Sequence, residues 1–318
     1  MSLYRITIDT NPDTCNFKCK MCDTHSIYNA SFKKTRPDMP LETLQKALCE
    51  AKNAGVREII PTTMGEPTLY KYFANIVEFC KSNSIKLNLT TNGSQLFSKR
   101  YDEAYIIENL LAVLSDIKIS FNSLDSRINE SIMCNSNTKA TLERIERLVS
   151  LRDRHNVNVS ITLQMTFMKS NIDSIIPLIE YAIAKGINRI KGHQLWITHK
   201  ELESQALHTD TESRQKWNEL IKQLTPYKEK IRLENFTSLE LGTDSISKSC
   251  PFLGRELWIN YRGDISVCCA PDTSRKELGS FGNITDSTLL GVLESRQYQN
   301  LLQTYHTKEV CKQCLLKR

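Results

Sequence analysis

The sequence predicts an α/β protein in which a six-stranded parallel sheet is followed by a polar bridge and a small cysteine-rich module. Three observations carry this reading. Strand and helix signals alternate from residue 1 to about 196, cysteines gather near both ends of the chain, and from Cys250 the texture changes to short strands around a tight turn. Strands separated by helices imply parallel pairing, because each helix carries the chain back across the sheet.

In order, strands are expected at Leu3–Ile8, Glu58–Thr62, Lys86–Thr91, Asp116–Phe121, Asn158–Thr166 and Arg189–Leu195, where apolar and β-branched residues cluster or alternate. Pro40 opens the first helix and Gly55 stops it. Further helices are expected around Tyr70–Ser82, Asp102–Leu114, Thr138–Arg154 and Ile172–Lys185, the last ended by Gly186. Residues 197–249 are more polar, with Thr211–Leu224 the clearest helix, and read as a bridging helical segment. Glu256–Tyr261 and Asp264–Cys268 flank Arg262-Gly263 as a hairpin, and a helix is expected over Ser287–Tyr305. The expected domains are 1–196, the bridge 197–249 and 250–318.

Composition sets bounds. The chain has 318 residues, 40% hydrophobic and 25% charged, which suits a globular protein. No apolar run approaches the ~18 residues of a membrane span, and Met1–Arg5 lead straight into a strand, so the expectation is a cytoplasmic protein with no membrane partner. The net charge of +6 is dispersed, without a basic tail or basic stretches interleaved with aromatics, so nothing asks for a nucleic acid. Eleven cysteines in so long a chain point to metal ligation in a reducing compartment rather than disulfides. Cys49 and Cys80 fall in helical patterns, where a free cysteine is usually a small buried hydrophobe.

Cys15, Cys19 and Cys22 are spaced C-x3-C-x2-C on the loop after the first strand. Three thiolates leave one iron of a four-iron cubane open, and an open metal position separates a reactive site from a structural one. The alternative is zinc, with His25 as a fourth ligand, although zinc favours paired C-x2-C spacings. The run resembles the signature of the radical S-adenosylmethionine (SAM) superfamily, C-x3-C-x-Φ-C, with Met21 at the usually aromatic position. The resemblance implies a partial (β/α)6 barrel of the TIM type, a [4Fe–4S] cluster that binds SAM, and contact of Met21 with adenine largely through its backbone.

The resemblance also gives roles to polar residues at the strand ends. Met64-Gly65-Glu66-Pro67 occupies the place of the family's Gly-Gly-Glu motif, so Gly65 and Glu66 are expected to hold the SAM amino group. Asn92 closes the third strand, Ser120 and Asn122 the fourth, and Gln164 and His193 lie on the fifth and sixth. Ser120 and Gln164 are the choices for ribose and carboxylate, Asn92 for a further cofactor contact, and His193 for cofactor or substrate. Each has a plain alternative as a structural polar residue.

Near the C-terminus, Cys250 and Cys268 flank the hairpin, and Cys311 and Cys314 form a C-x2-C pair. A zinc ribbon would use two such pairs. The pattern resembles the shortened SPASM, or twitch, domain, which holds one auxiliary [4Fe–4S] cluster with four cysteines. Cys269 is left over, either a packing residue or a hydrogen donor to a substrate radical.

The resemblance implies a radical SAM enzyme that receives an electron from flavodoxin or ferredoxin, cleaves SAM reductively and abstracts hydrogen from its substrate. The run before Cys15 is short, so the main expectation is a small polar molecule, an amino-sugar or aminocyclitol, that is oxidised or epimerised. The alternative is a SPASM-type maturase acting on a ribosomally made peptide. In a different class stands a non-catalytic iron–sulfur or zinc protein.

Overall fold

The structure is a computed structural model and describes residues 3–29, 31, 33–61, 64–239, 249–270 and 272–314. Its strands are β1 (Arg5–Ile8), β2 (Lys18–Cys19), β3 (Glu58–Ile60), β4 (Lys86–Thr91), β5 (Leu114–Ser120), β6 (Met133–Cys134), β7 (Ser160–Phe167), β8 (Arg189–Gln194), β9 (Arg232–Glu234), β10 (Glu256–Ile259) and β11 (Ile265–Ser266). The chain divides into two compact units, and the boundary falls inside β4. One comprises Met1–Thr14, Lys34–Asn88 and Thr243–Arg318; the other comprises Cys15–Lys33 and Leu89–Gly242.

In the first unit β1 lies between β3 and β10, parallel to both, and β11 pairs antiparallel with β10. The register sets Arg5 opposite Glu58 on one side and Glu256 on the other. Its guanidinium bonds to Glu58 and, at 2.7 Å, to Glu256 Oε1. The hairpin expected to belong to a separate module thus extends the main sheet, and a salt-bridged row fixes its register. Thr62, at the end of the expected second strand, lies outside the described residues.

The first helix, Leu41–Asn53, has Pro40 at its N-cap and ends at Gly55, whose φ of +69° favours a residue without Cβ. It buries Leu44, Ala47, Leu48 and Ala51 at helical spacing and leaves Cys49 exposed on the opposite face. Cys49 is therefore not the buried hydrophobe expected, whereas Cys80 is, beside Phe73, Ile76 and Val77 on the helix Phe73–Ser82. Near the C-terminus the single expected helix is two, Leu289–Glu294 and Arg296–Thr304. Ser295 breaks it by capping the second through a bond from Tyr298 N to its side chain.

In the second unit β5, β7, β8 and β9 run parallel. The helix over Thr138–Arg154 is as the periodicity predicts. The helix expected over Asp102–Leu114 instead passes through a π-turn at Ile106–Leu110 and gives way to β5 at Leu114. β9 lies in the stretch read as a helical bridge and adds a parallel strand beyond β8.

Alternate residues of these strands share one face, which carries linked charges. Lys118 Nζ stands 3.4 Å from Asp116, Arg189 bonds to Asp116 and, at 2.8 Å, to Glu234, and Lys191 Nζ stands 3.0 Å from Glu234. Burial pushes the Glu234 carboxyl up, but Lys191, Arg189 and Arg232 outweigh it and hold it down at about 2. A carboxylate held below its ordinary 4.5 stabilises the fold fully above that pH, and the contribution is lost as pH falls toward 2. The difference in unfolding free energy between wild type and Glu234→Gln should therefore shrink from pH 7 to pH 3 by on the order of 2 kcal/mol. Chemical denaturation at both pH values measures it, and a constant gap would contradict the assignment. No helix among the described residues is long and apolar enough to cross a membrane.

Candidate functional site

The cysteine loop belongs to the second unit, where short pairings and side-chain bonds shape it. β2 carries Cys19 and pairs antiparallel with β6, setting Lys18 opposite Cys134 and Cys19 opposite Met133. Lys20 N continues the pairing to Ile132 O at 2.9 Å, and Cys22 N turns back to Cys19 O at 3.0 Å. Beneath the loop Phe17, Ile132, Met133, Met168, Leu195 and Leu202 form a buried apolar cluster, and Cys15, Cys19 and Met21 pack against it.

Backbone amides face the sulfurs. Phe17 N donates to Cys15 Sγ at 3.4 Å, and His25 N donates to Cys22 Sγ at 3.2 Å. His25 thus meets Cys22 through its amide, while its side chain is buried. Asn92 Nδ2 lies 3.9 Å from Cys15 Sγ and donates to Asn16 Oδ1 at 2.8 Å, so this expected cofactor contact stands at the first cysteine. Burial, then Cys22 and Cys15, push the Cys19 thiol well above its ordinary range. A thiol so placed ionises against a cation, and the thiolate is the form that ligates metal.

Ser120 and Gln164 are register partners on β5 and β7, with Lys191 next in the row on β8. His193 lies opposite Thr166, one row nearer the strand ends, with its Nδ1 3.5 Å from Asn235 Nδ2. The structure therefore brings Ser120 and Gln164 side by side and sets His193 in the following row.

The Gly65-Glu66 turn belongs to the first unit. Glu66 N donates to Thr14 O at 2.9 Å, and Asn11 Nδ2 donates to Glu66 O at 2.7 Å. The buried Glu66 carboxylate caps the 3₁₀ turn Pro67–Leu69, accepting from Thr68 N at 3.2 Å and from Thr68 Oγ1 at 2.6 Å.

The C-terminal cysteines also lie in the first unit. Cys250 receives the amides of Leu253 and Phe252, although burial pushes its thiol up. Cys268 Sγ accepts from Ala270 N at 3.4 Å, and a hydrogen bond from the Cys269 thiol holds Cys268 down at about 7. That same bond, with burial, pushes Cys269 up. Cys311 sits on the turn Glu309–Lys312, and Cys314 N bonds to Cys311 O at 3.3 Å. Glu277 caps this turn by accepting from Glu309 N at 2.7 Å and Val310 N at 2.9 Å. Sequence reasoning passed over Glu277, because a cap supplied from a distant residue leaves no local pattern.

Among the described residues no three His, Cys, Asp or Glu side chains converge as a site for one metal ion. A structural zinc is closed by four ligands, whereas a cubane takes one thiolate at each iron and can keep one iron open. Both cysteine sets, with amides aimed at several sulfurs, suit clusters.

Comparisons with known proteins agree. The profile of the radical SAM superfamily matches residues 12–182, and that of the SPASM iron–sulfur cluster-binding domain matches 250–315. Among curated proteins, an S-adenosylmethionine-dependent nucleotide dehydratase of Selenomonas ruminantium is 24% identical over 52% of this chain and 57% of its own length. A PqqA peptide cyclase of Methylobacterium nodulans is 26% identical over 56% of this chain and 43% of its own. The chain spans about half the length of the curated relatives it matches.

Two solved structures share the fold over 98% of this chain at 17% identity. They are Streptococcus suis SuiB bound to S-adenosylmethionine, with TM-score 0.70 and 72% of that chain covered, and anSMEcpe with bound AdoMet, with TM-score 0.69 and 87% covered. The two matched domains imply a SAM-binding [4Fe–4S] cluster and an auxiliary cluster. With three cysteines on the loop after β1 and a SPASM domain behind them, the chain belongs to the radical SAM superfamily.

Proposed function

We propose that this enzyme is a maturase that modifies a peptide. The observation that carries the reading is the fold likeness to SuiB over nearly the whole chain, since SuiB has also been solved bound to its precursor peptide SuiA. The relative that cyclises the PqqA peptide adds support. Relatives named for nucleotides, including a probable GTP 3',8-cyclase of Thermococcus kodakarensis, align over about half of this chain, as the PqqA cyclase does, so the reading rests on the fold likeness. The relatives named here favour a peptide over the amino-sugar or aminocyclitol that the sequence first suggests.

In this reading residues 1–196 handle SAM, 197–249 connect, and 250–318 hold the auxiliary cluster. Cys15, Cys19 and Cys22 ligate the first cluster, which when bound supplies the reductive cleavage of SAM that begins hydrogen abstraction. Cys250, Cys268, Cys311 and Cys314 ligate the second. Gly65 and Glu66 of the first unit, and Met21, Asn92, Ser120, Gln164 and His193 of the second, are the residues this reading gives to SAM binding, and a flavodoxin or ferredoxin supplies the electron. Cys269 acts as a hydrogen-bond donor to Cys268 rather than as a hydrogen donor to substrate, and the reaction is an oxidation or cyclisation.

The test is anaerobic turnover with SAM and reductant, offering short precursor peptides encoded beside the enzyme's gene, GTP and aminosugars in parallel. Peptide should raise 5′-deoxyadenosine formation at least tenfold and change in mass. Stimulation by GTP or an aminosugar alone would reject the reading.

Glu66→Gln tests the SAM contact cleanly. Gln keeps an oxygen that can accept from Thr68, so the cap survives while the charge is lost and the second carboxylate oxygen becomes an amide NH2. SAM affinity should fall by about 1–3 kcal/mol, the scale of one charge-assisted hydrogen bond, with iron content unchanged. Calorimetric binding to the reconstituted enzyme measures it; equal affinities would mean that Glu66 serves only as a cap.

A further inference from the structure

We propose that His199 is a positioning residue for the SAM-binding cluster, holding Cys22 by its carbonyl, and that Leu195–Ala206 clamps the cysteine loop. His199 Nε2 lies 3.0 Å from Cys22 O, across 177 residues of sequence. A carbonyl oxygen only accepts, so Nε2 carries the hydrogen and the tautomer is fixed. Cys22 is thereby held at two points, through its sulfur by His25 N at 3.2 Å and through its carbonyl by His199.

The segment around His199 is built to keep it there. Leu195 and Leu202 are each 1% exposed and Ala206 is fully buried, all in the apolar cluster on which Cys15 and Cys19 pack. His199 leads into the 3₁₀ turn Lys200–Gln205, with Leu202 N bonded to His199 O at 3.0 Å. Its ring stands 6.1 Å from that of Tyr28, which follows Cys22 on the loop. Apolar packing and a directed hydrogen bond thus join the same two segments independently.

Outer partners of a metal ligand orient it and tune the metal. A carbonyl carries negative charge at its oxygen, and a donor placed on it offsets that charge beside the ligand. Hydrogen bonding around a cluster is one of the features that set its reduction potential. Loss of the donor should make the cluster harder to reduce and its third ligand easier to displace.

The inference rests on Cys22 being a cluster ligand, which the cysteine variants discussed below test separately through iron content. Its own test compares His199→Phe, which keeps a ring against Tyr28 without a donor, with His199→Gln, which keeps a side-chain N–H. Both are read in the reconstituted two-cluster enzyme. The readouts are the midpoint potential of the cluster whose paramagnetic resonance signal changes on adding SAM, and the rate of iron release to a chelator. His199→Phe should lower the potential and release that cluster's iron several-fold faster, with the auxiliary cluster as an unchanged internal control. His199→Gln should match wild type. Wild-type potential and release in His199→Phe, or equal impairment in both variants, would overturn the proposal. If His199→Phe loses the auxiliary cluster as well, His199→Asn replaces it as the variant too short to reach the carbonyl. Equal potentials in the Asn and Gln variants would then overturn the proposal.

Discussion

Changing Cys15, Cys19 and Cys22 together to Ala should reduce iron from about eight to about four per chain and abolish SAM cleavage. The three thiols share one loop held by β2, and backbone amides already point at two of their sulfurs. Cys134→Ala is the control. Cys134 pairs opposite Lys18 and Cys19 opposite Met133, so the two cysteines face opposite sides of the β2–β6 ribbon. The Cys134 variant should keep both clusters and full SAM cleavage. Iron and sulfide assays with anaerobic absorbance spectra decide the matter. Full iron in the triple variant, or bound zinc in the wild type, would defeat the assignment of this loop to a redox cluster.

What could be read from the sequence follows physical range. The helix Thr138–Arg154 and the strands β3, β4, β5, β7 and β8 announce themselves because apolar spacing is a local signal, whereas the two-residue β6 carries none. The cysteine sets are legible because ligand spacing is local too. β9 was not, since Arg232-Leu233-Glu234 is short and charged and is held by ion pairs to β8 rather than by an apolar face. The place of β10 beside β1 depends on Arg5 meeting Glu256, a pairing that no local window contains. His199 and Glu277 were missed for the same reason, as each acts on a cysteine segment far away in sequence. The Ser295 break was readable in principle, because a serine ahead of a helical run is a cap signal.

Gly65→Ala should do more damage than its single methyl group suggests. The turn at Gly65 is drawn tight from both sides, by Glu66 N on Thr14 O at 2.9 Å and by Asn11 Nδ2 on Glu66 O at 2.7 Å. A methyl at Gly65 would overlap the carbonyl oxygen of Asn11 and stand 2.9 Å from that of Thr14. Both obstacles are backbone, so no rotamer change relieves the clash and the turn must open. Opening it should cost about 1–3 kcal/mol of stability, the usual scale of overpacking. The displacement also moves Glu66, and Thr14 is bonded directly to Cys15, so the strain reaches the first residue of the cysteine loop. SAM affinity should therefore fall by at least tenfold, and more than in Glu66→Gln, where the turn keeps its shape. Thermal unfolding and SAM binding on the reconstituted protein measure the two effects together. A Gly65→Ala protein with wild-type stability and SAM affinity would show that the turn has slack, and that Glu66 is not placed by its approach to Asn11 and Thr14.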